Sequence, residues 1–390
     1  MSLGLFQVEQ ALLVDPAASG FMEDLVRDLP LLTIFAVEEP ENHLSPHYLG
    51  RVVAELKDMA CHDHAQVILS SHSPAILGRV QPDDVRYYLG NEHVACTRVK
   101  QLSLPELGSD ESFKYVREAI RGYPELYFSR LVIFGEGPSE EIILKRVFEA
   151  SGTPLDTNFI SIVPLGGRHV NHFWRLVHSL EIPHITLLDL DREKNGAGWS
   201  RLEYVRNELI KQMGRDNHRL QYRDTNQKIH SLGAETFPVF SSNDDKDLVL
   251  MEAWLKYFQT NFNVFFSLPL DIDFAMLEAF PAAYKEQADR GPQLPEIGAA
   301  EYATAVQDRV RQVLAANPKT APQTTGDSYS AAQRELFPWY KYLFIDGSKP
   351  VAHMRSMIAV QPKDLIQNIP VVLKELVAKA QQLVTFGGDN

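Results

Sequence analysis

Three apolar runs in this chain end in acids. Glu136 follows "RLVIFG", with Glu140 and Glu141 opening the next helix; Asp189 and Asp191 follow "HITLL"; Asp271 and Asp273 follow "NVFFSLPL". Ser139 is a good N-cap and first-turn acids favour the helix dipole, which accounts for Glu140 and Glu141. It does not account for Glu136, which ends an apolar run before the helix exists. The two D-x-D pairs have alternating spacing, which in an extended segment turns both carboxylates to one side. One D-x-D alone is common in loops and capped helix starts. Several acidic strand ends on one sheet edge would repel unless positive charge sat among them, and two hard divalent cations on oxygen ligands meet that need. A Mg²⁺ pair about 4 Å apart performs in-line phosphodiester cleavage.

The elements that would carry these acids alternate strand and helix. Strands are predicted at 131–134, 159–163, 185–188 and 264–266, and helices at about 140–150, 170–180, 200–212 and 274–280. That pattern predicts a mostly parallel α/β sheet with its site at the carboxyl ends of the strands. Upstream, residues 4–15 read as a helix. "LLTIFAVEEPENHLSP" reads as a buried strand ending in Glu38 and Glu39, "HYLGRVVAELKDMA" as an amphipathic helix, and "AQVILSSHSPAIL" as a strand with His72 at its polar tip. "DVRYYLGNEHVACTRV" predicts two strands around a Gly-Asn turn. From about residue 291 the chain is mainly helical. The expected domains are 1–104, a connector at 105–128, 129–290 and 291–390.

Composition bounds the remaining choices. At 390 residues, 45% apolar and 23% charged, the chain is typical of a globular protein of two or three domains. No apolar run reaches the roughly 18–20 residues of a membrane helix, and the two cysteines offer neither a disulfide framework nor a zinc site. A cytoplasmic location without membrane association is the resulting expectation. The net charge of −13 argues against a general nucleic-acid coat, although a carboxylate metal site is negative by construction. Residues 192–230 run the other way, with nine Lys/Arg against five Asp/Glu, and are the best candidate for a nucleic-acid-backbone contact, a pattern that a solvated helix face explains equally well.

"FGEGPSEE", "IVPLGGRHVNHFWRLVHSLEIPHITLLDLD" and its D-x-D together resemble a Toprim domain, in the version found in the OLD (overcoming lysogenisation defect) family of ATP-dependent endonucleases. The resemblance spans about residues 2–355. It implies a two-metal nuclease using Mg²⁺ or Mn²⁺. Glu136 and Glu140 fall on the first acidic motif and Asp189 and Asp191 on the D-x-D, while Asp271 and Asp273 are expected to supply the third acidic group. "DGSKP" resembles the family's lysine motif, making Lys349 a candidate for stabilising charge on the phosphate, alongside Glu136, Asp189 and Asp191 as catalytic groups. Gly166 and Gly167 in "PLGGRHV" could hold a phosphate at a helix start; Glu141 and Glu193 are expected bystanders.

The first domain resembles the C-terminal lobe of an ABC-type ATPase. On that resemblance Glu38 is the metal-linked acid, Glu39 the base that activates water, and His72 the switch histidine. No G-x-x-x-x-G-K-[ST] occurs, so ATP is expected only in a complete homologue, and the chain is expected to be a C-terminal portion or a shortened relative. The expected function is a metal-dependent DNA endonuclease, as a homodimer, with any helicase-type partner unidentified. Competing readings are a non-catalytic DNA-binding or recombination scaffold and another Toprim activity, topoisomerase- or primase-like.

Overall fold

The protein is described from a computed structural model at residues 31–42, 44–91, 96–101, 122–166, 170–194, 196–215, 217–223, 227–234, 248–286, 288, 290–315 and 325–386. The helix expected at 4–15, Gly167 and most of the connector lie outside the described residues. The chain divides into two compact units, Met1–Val85 and Arg86–Asn390.

In the first unit, β1 (Thr33–Glu38) pairs in parallel with β2 (Ala65–Ser70) through the crossover helix α1 (Pro46–Ala60), and a short helix α2 (Pro74–Leu77) follows. Alternate residues of both strands are exposed, Ile34 and Ile68 among them.

The second unit opens with the antiparallel hairpin β3 (Arg86–Asn91) and β4 (Cys96–Gln101), tied down where Arg98 and Lys100 both pair with Glu181 at 2.8 Å. The central sheet is built from β5 (Leu131–Gly135), β6 (Ile160–Pro164), β7 (His184–Asp189) and β10 (Val264–Ser267), all parallel, in the order β10-β7-β5-β6. Between them run α3 (Pro138–Ala150), α4 (Val170–Ser179), α5 (Trp199–Met213), a small hairpin of β8 (Gln221–Arg223) and β9 (Ile229–Ser231), and α6 (Leu248–Phe262). After β10 come α7 (Ile272–Ala279), α8 (Pro281–Glu286), α9 (Tyr302–Leu314), α10 (Ala331–Arg334), α11 (Phe337–Tyr340), α12 (Lys349–Ala359), α13 (Pro362–Asn368) and α14 (Val371–Phe386). This is the α/β class that the strand–helix alternation predicts, and the four strands match their expected positions to within one residue at each end.

Strand parity explains the layering. Leu131, Ile133, Ile185, Leu187 and Phe265 point to one face, where α3, α12, α13 and α14 complete a single core with Ile143, Val147, Leu365 and Leu373. The opposite face carries Thr186, whose hydroxyl accepts a 2.8 Å bond from the buried Trp174 of α4. Because both faces are covered, β5 is buried at every position, as parallel strands in such sheets are. The topology then selects a place for chemistry. From β5 the chain passes outward to β6, then returns to β7 on the other side and continues to β10. The connections therefore diverge between β5 and β7, the point at which sheets of this kind form a binding crevice at the carboxyl ends of their strands.

Candidate metal centre

Glu136 follows β5 directly and Asp189 ends β7, so both flank that crevice. They touch: the Asp189 N–H donates to Glu136 Oε1 at 2.9 Å. Asp189 is further fixed where its Oδ1 accepts from the Ser267 hydroxyl at 2.7 Å and from the Ile272 N–H at 3.2 Å, which brings β10 and α7 to the same point. Among the described residues no bond reaches Asp189 Oδ2. Burial pushes the Asp189 carboxyl well above the usual carboxylate range, with Glu140, Glu136, Asp271 and Asp191 adding repulsion in that order.

Glu140 lies behind Glu136. It is 2% exposed, and its Oε2 accepts the Gly137 N–H at 2.8 Å at the start of α3. The N-cap is therefore Gly137 and not Ser139, because the third helical residue reaches back to cap the first turn. Burial first, then repulsion from Asp273 and Glu136, pushes the Glu140 carboxyl up to about 8 against the opposing pull of its backbone hydrogen bonds. Gly135 makes the arrangement possible, since a Cβ there would stand 2.5 Å from the Glu140 Cβ.

Neither D-x-D pair is extended throughout, which corrects the alternation argument. The strand stops at Asp189, Leu190 turns into the core, and Asp191 adopts a left-handed conformation (φ 54°) with its N–H on the Leu270 carbonyl. Asp271 is a helix cap: its Oδ1 accepts the Phe274 N–H at 2.9 Å and its Oδ2 accepts the Tyr340 hydroxyl. Asp273 is already inside α7, with Oδ1 bonded to His353 Nε2 at 2.7 Å and Oδ2 paired with Lys349 Nζ at 2.5 Å. The His353 bond and the Lys349 charge hold Asp273 below the usual carboxylate range despite its burial, whereas burial and the Asp273 charge raise Asp271 to about 6.

The six acids nonetheless gather at one rim, with three cations among them. Arg201 bridges Glu136 and Asp191 at 3.1 Å each, Lys194 pairs with Asp191 at 2.6 Å, and Lys349 spans Asp273 and Asp271, the latter at 3.7 Å. The sequence places Lys194 and Arg201 in the basic stretch offered to DNA, whereas the structure turns both to the acids; Ser267, Tyr340 and His353 carry no expected role. For His353 a signal existed, because it lies four residues after Lys349 on one helix face. Glu193, expected to be a bystander, instead accepts the N–H groups of Gly326 at 2.9 Å and Ser328 at 2.6 Å and ties that loop to the D-x-D turn. Glu141 is exposed.

Among the described residues no three acids, histidines or cysteines form a ready-made coordination shell. The donor set still fits a hard divalent cation. Six carboxylates face three side-chain cations; burial first, and repulsion from neighbouring acids after it, raise the Glu140, Asp189 and Glu136 carboxyls, and an ion among them would relieve both costs. A cavity of about 520 Å³ bounded by Arg192, Met251, Leu268 and Tyr329 lies beside the D-x-D turn and is lined by none of the six acids.

The basic stretch divides. Arg192 and Arg201 are buried, Lys194 serves Asp191, and Arg206 donates to the Leu232 carbonyl at 2.8 Å; Arg215, Arg219, Arg223 and Lys228 stay outside, around the β8–β9 hairpin. Gly166 follows β6 in a left-handed conformation and is exposed. In the first unit Glu38 ends β1, Glu39 accepts from Asn42 at 2.7 Å, and His72 Nε2 stands 3.4 Å from Glu39. The acid that joins the two strand tips is Glu41, which accepts from the Ser71 hydroxyl at 2.6 Å and the His72 N–H at 3.0 Å.

Residues 127–191 match the family model described as "Overcoming lysogenization defect protein-like, TOPRIM domain", and residues 17–78 match one described as an AAA domain. "Endonuclease GajA" of Bacillus cereus (strain VD045) is 25% identical over 189 residues, covering 48% of this chain and 31% of the relative. That of strain HuB5-5 is 24% identical over 188 residues, covering 42% and 27%. The chain thus spans under a third of the length of the curated relatives it matches. The C-terminal region of the Xanthomonas campestris pv. campestris OLD protein aligns over 68% of this chain and 98% of its own, at 16% identity and a TM-score of 0.39. That of Burkholderia pseudomallei aligns over 66% and 99%, at 14% identity and a TM-score of 0.36. Among the described residues no helix is long and apolar enough to cross a membrane.

Proposed function

We propose that this chain, whose residues 127–191 match the OLD-like Toprim model, belongs to that family and is a divalent-metal-dependent DNA endonuclease that hydrolyses phosphodiester bonds at the carboxylate rim. The observation that carries the reading is the bond from the Asp189 N–H to Glu136, made where the strand connections diverge and with four more carboxylates beside it. Glu136, Glu140, Asp189 and Asp191 would hold Mg²⁺ or Mn²⁺, with Asp271 behind them. Bound there, a pair of such ions would supply an activated water and neutralise charge on the phosphate.

The chain's own residues do the rest. Arg201 fixes Glu136 and Asp191 in one orientation before any ligand arrives, which reduces the reorganisation that binding must impose. Ser267 and the Ile272 N–H hold one oxygen of Asp189, which fixes the carboxylate's orientation while its other oxygen accepts no bond among the described residues. Lys349 has a side chain 43% exposed yet anchored on Asp273, and it would present its ammonium to the phosphate where negative charge grows. DNA is the proposed substrate, and a homodimer the proposed assembly. The first unit, without a phosphate-cradling loop signature, is proposed not to hydrolyse ATP in this chain alone.

The test is nicking of supercoiled plasmid with Mn²⁺ and no ATP. Activity in the protein that disappears in Asp189→Ala supports the reading. Equal nicking by both, or none by either, defeats it.

A further inference from the structure

We propose that His353, backed by Tyr284, is a positioning residue: it fixes Asp273 and through Asp273 fixes the Lys349 ammonium at the rim. Its catalytic consequence rests on the nuclease reading above; its geometry does not.

One turn of α12 separates Lys349 from His353, so both side chains leave the helix on the same face. Both reach Asp273, Lys349 at Oδ2 (2.5 Å) and His353 Nε2 at Oδ1 (2.7 Å). An ionised carboxylate only accepts, so Nε2 carries the hydrogen and donates. In the neutral ring the other nitrogen, Nδ1, accepts, and the Tyr284 hydroxyl of α8 donates to it at 2.7 Å. The ring is also clamped from its sides: Phe344 stacks on it at 5.1 Å and 21°, and Tyr284 meets it edge-on at 5.6 Å and 88°. The result is a one-directional chain of donors, Tyr284 to His353 to Asp273, with Lys349 closing the far end.

Burial argues for a purpose beyond stability. His353 is 0% and Tyr284 1% exposed, and apolar side chains of similar volume would fill that space without desolvating polar atoms. What the polar chain adds is orientation. Without the histidine, Asp273 would keep one unpaired buried oxygen and could rotate, and Lys349 would follow it on a flexible four-carbon stem. Of the four residues Lys349 alone reaches solvent, so an orientation set in the core is delivered at the surface where DNA would lie.

The experiment pairs kinetics with chemical labelling on the full chain. For Mn²⁺-dependent nicking, His353→Leu should lower kcat roughly 10- to 100-fold, the usual size for groups that hold a working residue from behind, with KM nearly unchanged. His353→Gln, whose amide can donate to Asp273 and accept from Tyr284, should restore most of the rate. In a Lys349→Ala background, His353→Leu should add no further loss. A full additional loss there would mark a histidine that merely supports the fold and would overturn the proposal. Labelling of Lys349 by an amine-directed reagent, read by mass spectrometry without metal, tests the geometry when catalysis cannot. Labelling should be severalfold faster in His353→Leu and unchanged in His353→Gln. Should the leucine variant not fold, Tyr284→Phe, which removes only the distal donor, should show the same faster labelling to a smaller degree. Equal labelling in wild type and folded variants sinks the positioning role alone, whereas an inactive wild type sinks the nuclease reading alone.

Discussion

Glu38 ends β1 in the first unit and Asp189 ends β7 in the second, two parallel strands with acids at the same end and different surroundings. Around Glu38 and Glu39 the strands expose alternate residues, and the described partners are one asparagine and one histidine. Around Asp189 the sheet is covered on both faces, and the acid meets four other carboxylates and their cations. A strand-end acid in water is an ordinary polar group. The same acid under a covered sheet sits where the effective dielectric is low, so each neighbouring charge counts for more and the cluster carries a standing demand for positive charge. That demand separates the carboxylate rim from an acidic strand tip.

The comparison sharpens most at Asp189. Asp189→Asn keeps the shape and removes the charge, and should cost nicking at least roughly 10²- to 10³-fold, the scale of losing a principal electrostatic group. Lys349→Ala should cost about 10²-fold in kcat and should also lower the melting temperature, because it leaves the buried carboxylates of Asp273 and Asp271 without their cation. Gly135→Ala should follow, because the added methyl collides with Glu140 and pushes it out of the rim; Mn²⁺ affinity by calorimetry should fall roughly tenfold.

A pH dependence belongs to the second unit. The Glu140 carboxyl titrates at about 8 in the fold, above its usual 4.5, so the folded state holds the proton longer than the unfolded one. The resulting stability is complete below the unfolded value and is lost as pH rises through the folded one. Metal-free protein should therefore melt at progressively lower temperature from pH 5 to 8, and Mn²⁺ should flatten the trend. A metal-free melting temperature that rises over that range would remove the argument that burial and neighbouring acids hold Glu140 protonated. The smallest effect is expected in the first unit, where Glu38→Ala should change stability by no more than about 0.5 kcal/mol in a denaturant titration.

Much of this was legible in the residue order. The strands of the sheet and the acids at their ends follow from short apolar runs bounded by Gly, Pro and charged residues, because covered parallel strands are apolar throughout. The conformation of each acid was not legible. Asp191 leaves the strand by a left-handed turn and Asp271 caps a helix, and both choices are made by contacts with Leu270 and Phe274 that spacing alone cannot reveal. The cations were hidden for another reason. Arg201 lies 65 residues from Glu136 in sequence, and nothing near either residue announces the pair. His353 lay nearer to detection, one helical turn from the lysine that the motif picked out.

The most direct test of the central claim is the position of Mn²⁺ in a crystal, read from its anomalous scattering. Density between Glu136, Glu140 and Asp189 is the expected result. Manganese bound elsewhere on the molecule at saturating metal, with none between those carboxylates, would contradict it.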